Sequence, residues 1–305
     1  MIWAPDRNRQ QGQLVAELYR SAAGLPCDRS AVIAGGLPGA DKTEAITQAG
    51  ISASLYLTVS IDVVLTAMAA RDLIPAAAGQ SPLEAADLVH AEAQYLAKRI
   101  ALLALTDGRN LILDVTLASM RSAQAWIYAL RFAGYTVTAV FADIAVEAAV
   151  DACAAARRRG QEQYRRGQGY GGRFIPPEAI RALASPAGAV ARNQVSWASG
   201  PQAEGGPAPA AGSPVFPGSA VTARLASYRA GQFSREEVGL EFRVRRWPAV
   251  PSACPPGMEQ ARAAIDDLEP YFPGSFDDVV LAYDLGWLTD EDYEVFAAAA
   301  GPPGA

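Results

Sequence analysis

Residues 36–43 read Gly-Leu-Pro-Gly-Ala-Asp-Lys-Thr. A phosphate-binding loop has Gly, four residues, Gly, Lys and then Ser or Thr. Backbone N–H groups of the turn and a helix N-terminus surround the anion, Lys reaches the outer phosphates, and the hydroxyl holds a divalent cation. Gly36, Lys42 and Thr43 stand where the pattern needs them, with Gly39 and Ala40 between; the second fixed glycine is replaced by Asp41. The loop thus points to ATP and Mg²⁺ as cofactors, with Lys42 at the β- and γ-phosphates and Thr43 as a metal ligand. Asp41 opposes this. A carboxylate about 4 Å from a phosphate charge costs ~4 kcal/mol per unit-charge pair at an effective dielectric near 20. Asp is also a good helix N-cap. Either Asp41 turns outward and binding weakens, or it caps its own loop and takes the N–H groups a phosphate would use.

The surrounding pattern supplies a scaffold for such a loop. Apolar residues 31–34 read as a buried strand, and 42–49 as the helix after the turn. Further strands are expected over 54–59, 110–114 and 136–142, and helices over 62–71, 81–106, 119–133 and 146–159. Ser81, Pro82 and Glu84 form a capping box with a first-turn proline. Val89, Ala93, Leu96, Ile100 and Leu103 then recur at helical spacing and predict one buried stripe. Alternating strands and helices predict an α/β fold, a P-loop kinase-like parallel sheet flanked by helices, with a linker and a small C-terminal helical element. The carboxyl ends of parallel strands share one edge, where ligands bind. The loop at 35–41, the residues after Val59 and those after Asp114 should gather there.

Residues 160–173 hold Arg165, Arg166 and Arg173 among glycines and read as a basic lid over that edge, or as an exposed loop. Thirteen of the eighteen residues from 201 to 218 are Pro, Gly or Ala, which marks a linker. The expected division is an N-terminal extension with one helix (1–29), a kinase-like domain (30–200), the linker (201–218), a strand-like strap (219–255) and an acidic helical tail (256–305). In the tail, Thr289 and Asp292 make a capping box, with Tyr293 and Phe296 on the apolar side of its helix.

Taken together these residues resemble the zeta toxin family of P-loop kinases, which phosphorylate the sugar of UDP-N-acetylglucosamine with ATP. The resemblance covers about 30–192. It rests on Gly-Gly-Leu-Pro-Gly-Ala at 35–40 with Lys42-Thr43, on Asp62, and on Val89-His90-Ala91-Glu92-Ala93. Leu113-Asp114-Val115-Thr116, Gly134-Tyr135 and Gly172-Arg173-Phe174-Ile175-Pro176-Pro177 complete it. It implies that Asp62 is the catalytic base, a role a carboxylate at a strand's carboxyl end can fill. It implies that Glu92 and Thr116 bind the substrate, that Asp114 assists Mg²⁺ or orders the loop, and that Arg173 neutralises the transferred phosphate. His90 reads as a structural hydrogen-bonder. Departures from the family are Asp41, Leu65 in place of a lysine, and Ala152 and Ala156 in place of arginines. Arg157, Arg158 and Arg159 follow, but each step turns the helix face by about 100°.

The 305 residues carry a formal charge of −6 and are 50% apolar, enough for a sizeable core. From Pro255 onward eleven Asp and Glu face Arg262 alone, so the tail carries −10 and the remainder about +4. A mildly basic body suits an anionic ligand but is too weakly basic for nucleic acid. The acidic tail reads as a solvated face, or as an element that meets a protein partner or packs. Cys27, Cys153 and Cys254 offer neither a disulfide framework nor zinc spacing, as expected in a reducing cytoplasm. No signal-peptide core or membrane-spanning run is apparent. The expectation is a cytoplasmic, ATP-dependent phosphotransferase of toxin–antitoxin type, acting on a small-molecule hydroxyl such as that of a UDP-amino sugar. The alternative is a catalytically impaired pseudokinase serving as a nucleotide-binding or protein-interaction module; a toxin-derived regulator is a further possibility.

Overall fold

A computed structural model describes residues 3–184, 219–248 and 258–301. The expected linker lies outside the described residues. Four parallel strands form one sheet: β1 (Ser30–Gly36), β2 (Leu57–Ser60), β3 (Leu111–Val115) and β4 (Thr136–Ala142), in the order β2-β3-β1-β4. In register, Ala34 of β1 lies beside Asp114 of β3 and Val140 of β4. Alternation along β1 sends Ala31 and Ile33 into the large core and Val32 and Ala34 into a smaller one with Ile46 and Ile112. Both faces are therefore covered, as all-parallel strands require.

The helices of the body are α1 (Pro5–Arg20), α2 (Lys42–Gln48), α3 (Ile61–Ala69), α4 (His90–Asp107), α5 (Met120–Phe132), α6 (Val146–Arg165) and α7 (Pro177–Leu183). The strand expected from Ser54 starts later, because 53–55 form a 3-10 turn that leaves Leu55 half exposed. The capping box at Ser81 is present, but it opens a 3-10 stretch, Pro82–Val89, and α4 begins afresh at His90. Nor does α4 bury a single stripe. It is covered on all sides, and Gln94, Lys98 and Arg99 are buried with its apolar residues. The helix expected over 146–159 continues to Arg165, which shortens the lid loop.

The strand-like strap is helical where described: α8 (Ala220–Arg229) and α9 (Arg235–Val244) each open with a Ser capping box, at Ser219 and Ser234. The alternation over 241–245 is the last turn of α9 and its exit. Beyond 258 come a 3-10 turn, Glu259–Ala264, then α10 (Asp277–Asp284) and α11 (Asp290–Ala300), the last opened by the Thr289 capping box. Phe242 and Phe296 are fully buried and meet edge to face, 5.4 Å between centroids.

The acidic tail is a solvated face only in part, at Glu259, Asp290, Glu291 and Glu294. Asp266, Asp267, Asp277, Asp278 and Asp292 are buried, and two of them, Asp266 and Asp277, bind cations of the body. Lys98 pairs with Asp277 at 2.9 Å, and Arg99 forks onto both oxygens of Asp284. Burial alone would lower the Lys98 ammonium, yet Asp277 and Glu269 hold it above its usual value and charged. The lid is likewise tied down. Glu84 accepts from Arg157 at 2.7 Å and from Gln161, and the Leu83 N–H donates to the Tyr170 carbonyl at 3.0 Å. Gly172 runs so close to α6 that a Cβ would meet the Arg157 carbonyl oxygen at 2.4 Å.

Two predictions follow from these pairs. Asp284→Ala leaves the Arg99 guanidinium buried beside no carboxylate, and should cost about 3–5 kcal/mol in urea unfolding. Burial would raise the Glu84 carboxyl, but Arg157, Ser81 and Gln161 pull it from 4.5 down to about 2. Its contribution is then complete above pH 4.5 and lost as pH falls toward 2. The gap in melting temperature between wild type and Glu84→Gln should close across that interval, and a constant gap would refute the assignment.

Candidate active site at the strand carboxyl ends

β1 delivers the chain to a tight turn and α2 carries it away, so residues 36–43 sit at the carboxyl edge of the sheet. Gly39, at φ +87°, passes α6 so closely that a Cβ would lie 2.7 Å from the Ala149 carbonyl oxygen. Only glycine fits such a position. The Ala40 N–H donates to the Leu37 carbonyl and the Lys42 N–H to that of Ala40, each at 3.0 Å.

Asp41 caps α2. Its Oδ1 accepts the Glu44 N–H at 2.9 Å. Of the two placements open to this side chain, the self-capping one is observed. Its φ of −80° makes no demand for glycine, so a glycine would fit the backbone equally well.

Lys42 reaches back across the edge and donates to Asp114 Oδ1 at 2.5 Å. Burial raises the Asp114 carboxyl, with Lys42 opposing and the nearby Asp266 and Asp62 adding to the rise. Asp62, in the first turn of α3, has a side chain 67% exposed. Arg173 binds it at 2.6 Å and forks onto Asp266 at 2.8 and 3.2 Å. Burial would lower the Arg173 guanidinium, yet the two carboxylates hold it above its usual range. The edge thus gathers Lys42, Asp62, Asp114 and Arg173, with Thr43 exposed at the start of α2.

The two residues expected to bind substrate are placed differently. Glu92 is buried in α4 and both its oxygens take Arg7, at 2.7 and 2.8 Å, while Gln11 donates at 2.6 Å. Both partners come from α1, the expected N-terminal extension. Thr116 is buried and donates to Asp267 Oδ1 at 3.0 Å. Asp267 also accepts the Leu117 and Ser119 N–H groups, at 2.7 and 2.6 Å. Each side chain is engaged by another part of the chain.

His90 bonds the Ile265 carbonyl through Nε2 at 3.0 Å and faces Arg173 at Nδ1. Burial, then Arg173, lowers its pKa, so it is a neutral hydrogen-bonder. Leu65, one of the expected departures from the family pattern, is fully buried. Of the three consecutive arginines, Arg157 turns to Glu84 and the Phe174 ring.

Asp266, Asp267, Arg7 and Gln11 are central here and were not anticipated. The available signal was two acids within the apolar run Ile265-Asp-Asp-Leu268, a pattern that solvent rarely explains. Nothing local names their partners.

Lys42, Thr43 and Asp114 fit a magnesium nucleotide, since Mg²⁺ takes one or two protein oxygens and completes its shell from phosphate and water. Asp41 and the loop N–H groups already engaged fit it less well. Among the described residues no group of three or more His, Cys, Asp or Glu could hold a metal alone, and no helix is long and apolar enough to cross a membrane.

No curated protein and no solved structure was found to match the chain. The family model described as zeta toxin matches residues 27–195, more than half of the chain, and takes in the loop, Asp62, Asp114 and Arg173. With its parallel sheet and P-loop kinase-like architecture, the chain belongs to the zeta toxin family.

Proposed function

We propose that the protein is an ATP- and Mg²⁺-dependent phosphotransferase acting on a hydroxyl of a small molecule in the cytoplasm. The observation that carries this reading is the meeting of Lys42, Asp62, Asp114 and Arg173 at one sheet edge, two cations and two carboxylates within two ion pairs of 2.5 and 2.6 Å. Lys42 would bind the outer phosphates, and Thr43 with Asp114 would hold Mg²⁺. Asp62 would take the acceptor hydroxyl's proton as the oxygen attacks the γ-phosphorus and the bond to the β-phosphate oxygen breaks. Arg173 would neutralise the charge of the group in flight. Such chemistry asks for positioning and charge neutralisation more than covalent participation. Family membership supports a UDP-amino sugar as acceptor, with Glu92 and Thr116 as its ligands once their internal partners yield.

A second reading has its own support. The Asp41 carboxylate holds the Glu44 N–H, a donor that a phosphate loop would present to nucleotide. A chain in which that contact persists would be a pseudokinase whose fold serves binding. The inward-facing tail acids favour an internal role for the tail over a protein-partner surface.

Calorimetric titration of ATP–Mg²⁺ separates the two. Under the first reading wild type binds measurably, Lys42→Ala does not, and Asp41→Gly binds about 10-fold tighter, a gain of ~1.4 kcal/mol. The same substitution should cost only a few tenths of a kcal/mol of stability, whereas Asp41→Ala costs about 1 kcal/mol. Absence of wild-type binding, restored by Asp41→Gly, sinks the active-kinase reading. In transfer assays with a UDP-amino sugar, Asp62→Asn should lower kcat by about 100-fold or more and leave ATP affinity unchanged. An equal loss of both would make Asp62 a binding residue.

A further inference from the structure

The segment 264–269 lies across the same edge. Ala261, Ala264 and Ile265 are fully buried against Ala179, Ile180 and Leu183 of α7 and against Leu37 of the phosphate loop. From there four backbone carbonyls are held. The Ile265 carbonyl accepts from His90 and Gln94, the Asp267 carbonyl from Gln94 at 3.0 Å, the Leu268 carbonyl from Ser122 and the Glu269 carbonyl from Trp126 at 3.2 Å. Between these anchors two carboxylates drop into the site. Asp267 ties Thr116 and the turn after β3, and Asp266 forks onto Arg173.

We propose that residues 264–269 act as an intrasteric inhibitor, with the Asp266 carboxylate occupying the anion position at Arg173 that a phosphate must take. This rests on the phosphotransferase reading and adds a regulatory element to it. The geometry has the form of a ligand complex. A planar guanidinium presents two N–H groups to two oxygens of one carboxylate, the arrangement it also offers a phosphate. Arg173 and Asp266 have side chains only 12% and 11% exposed, so the pair is shielded from competing water. Burial would raise the Asp266 carboxyl, but the Arg173 guanidinium, with Lys42 adding to it, brings it below its usual value, so it is charged. A phosphate at Arg173 would meet this carboxylate at contact distance and cannot share the fork with it. Thr116 is occluded by the same segment through Asp267. Binding-competent molecules are then the fraction in which the segment has withdrawn, and apparent affinity falls by that fraction.

Asp266→Asn in the full chain keeps the shape and removes the charge. ATP–Mg²⁺ should bind it about 10-fold or more tighter than wild type, by the competent-fraction relation, and the gain should vanish in Asp266→Asn with Arg173→Gln. Equal or weaker binding by folded Asp266→Asn overturns the proposal, as does a gain that survives loss of Arg173. Should Asp266→Asn fail to fold, Gln94→Ala gives the same readout. It frees the Ile265 and Asp267 carbonyls from one donor and leaves Arg173 and Asp266 in place. Tighter binding supports the inhibitor, and unchanged affinity overturns it. Tighter binding without transfer to any acceptor would keep the inhibitor and remove the phosphotransferase. Transfer at equal rates and affinities in wild type and variants would do the reverse.

Discussion

The burial of α4 on every side is the constraint from which most of the structure follows. A helix at the centre of a core can be wholly apolar, but this one carries Glu92, Lys98 and Arg99, all under 10% exposed. Moving one such ion out of water costs several kcal/mol after relaxation, and the cost is met only by a partner with good geometry. The sheet and the helices α2–α7 supply none of the partners seen here. Glu92 takes Arg7 and Gln11 from α1; Lys98 takes Glu269 and Asp277, and Arg99 takes Asp284, all from the C-terminal segment. The two ends of the chain are therefore ionic counterparts of its central helix. That explains part of the tail's acidity: Glu269, Asp277 and Asp284 are complementary to an interior, whereas Glu259, Asp290, Glu291 and Glu294 face solvent.

The same constraint fixes what happens at the sheet edge. A chain that must pair with Lys98 after packing beside α7 passes over the strand carboxyl ends, where Asp266 meets Arg173 and Asp267 meets Thr116 and the N–H groups after β3. Both cations of the edge are paired within the chain, Lys42 with Asp114 and Arg173 with Asp62 and Asp266. Asp41 repeats the theme within the loop by capping the helix that would otherwise hold a phosphate. Four carboxylates, Asp41, Asp62, Asp114 and Asp266, thus engage the cations and N–H groups that the proposed function assigns to a polyanionic ligand. A ligand must displace them or coexist with them at a Coulombic cost, which makes this site one of competition more than of vacancy.

Much of the fold was legible in sequence. β4 over Thr136–Ala142 and the capping boxes at Ser81 and Thr289 appear where the residues place them, because β-branched runs and short side-chain-to-backbone bonds act within a few residues. The phosphate loop and its neighbours at the edge were legible because parallel topology brings strand ends together. Misreadings arose where local pattern is ambiguous. Five alternating residues at 241–245 suit a strand, but they are a helix end whose Val238 and Phe242, four apart, point into the core. The stripe from Val89 to Leu103 was real yet incomplete, since periodicity cannot report that the opposite face is also covered.

The sequence by itself determined the family, the parallel sheet and which side chains could handle a phosphate, because those depend on residue type and short-range spacing. Only the tertiary structure decided which of them are at liberty. Glu92 and Thr116 are held by residues 85 and 151 positions away, and Asp62 and Asp266, which bind Arg173, are 111 and 93 positions distant. Such pairings are set by the packing of whole elements around α4. No local signal encodes them, because a carboxylate at 266 has the same composition and spacing whether it faces water or an arginine.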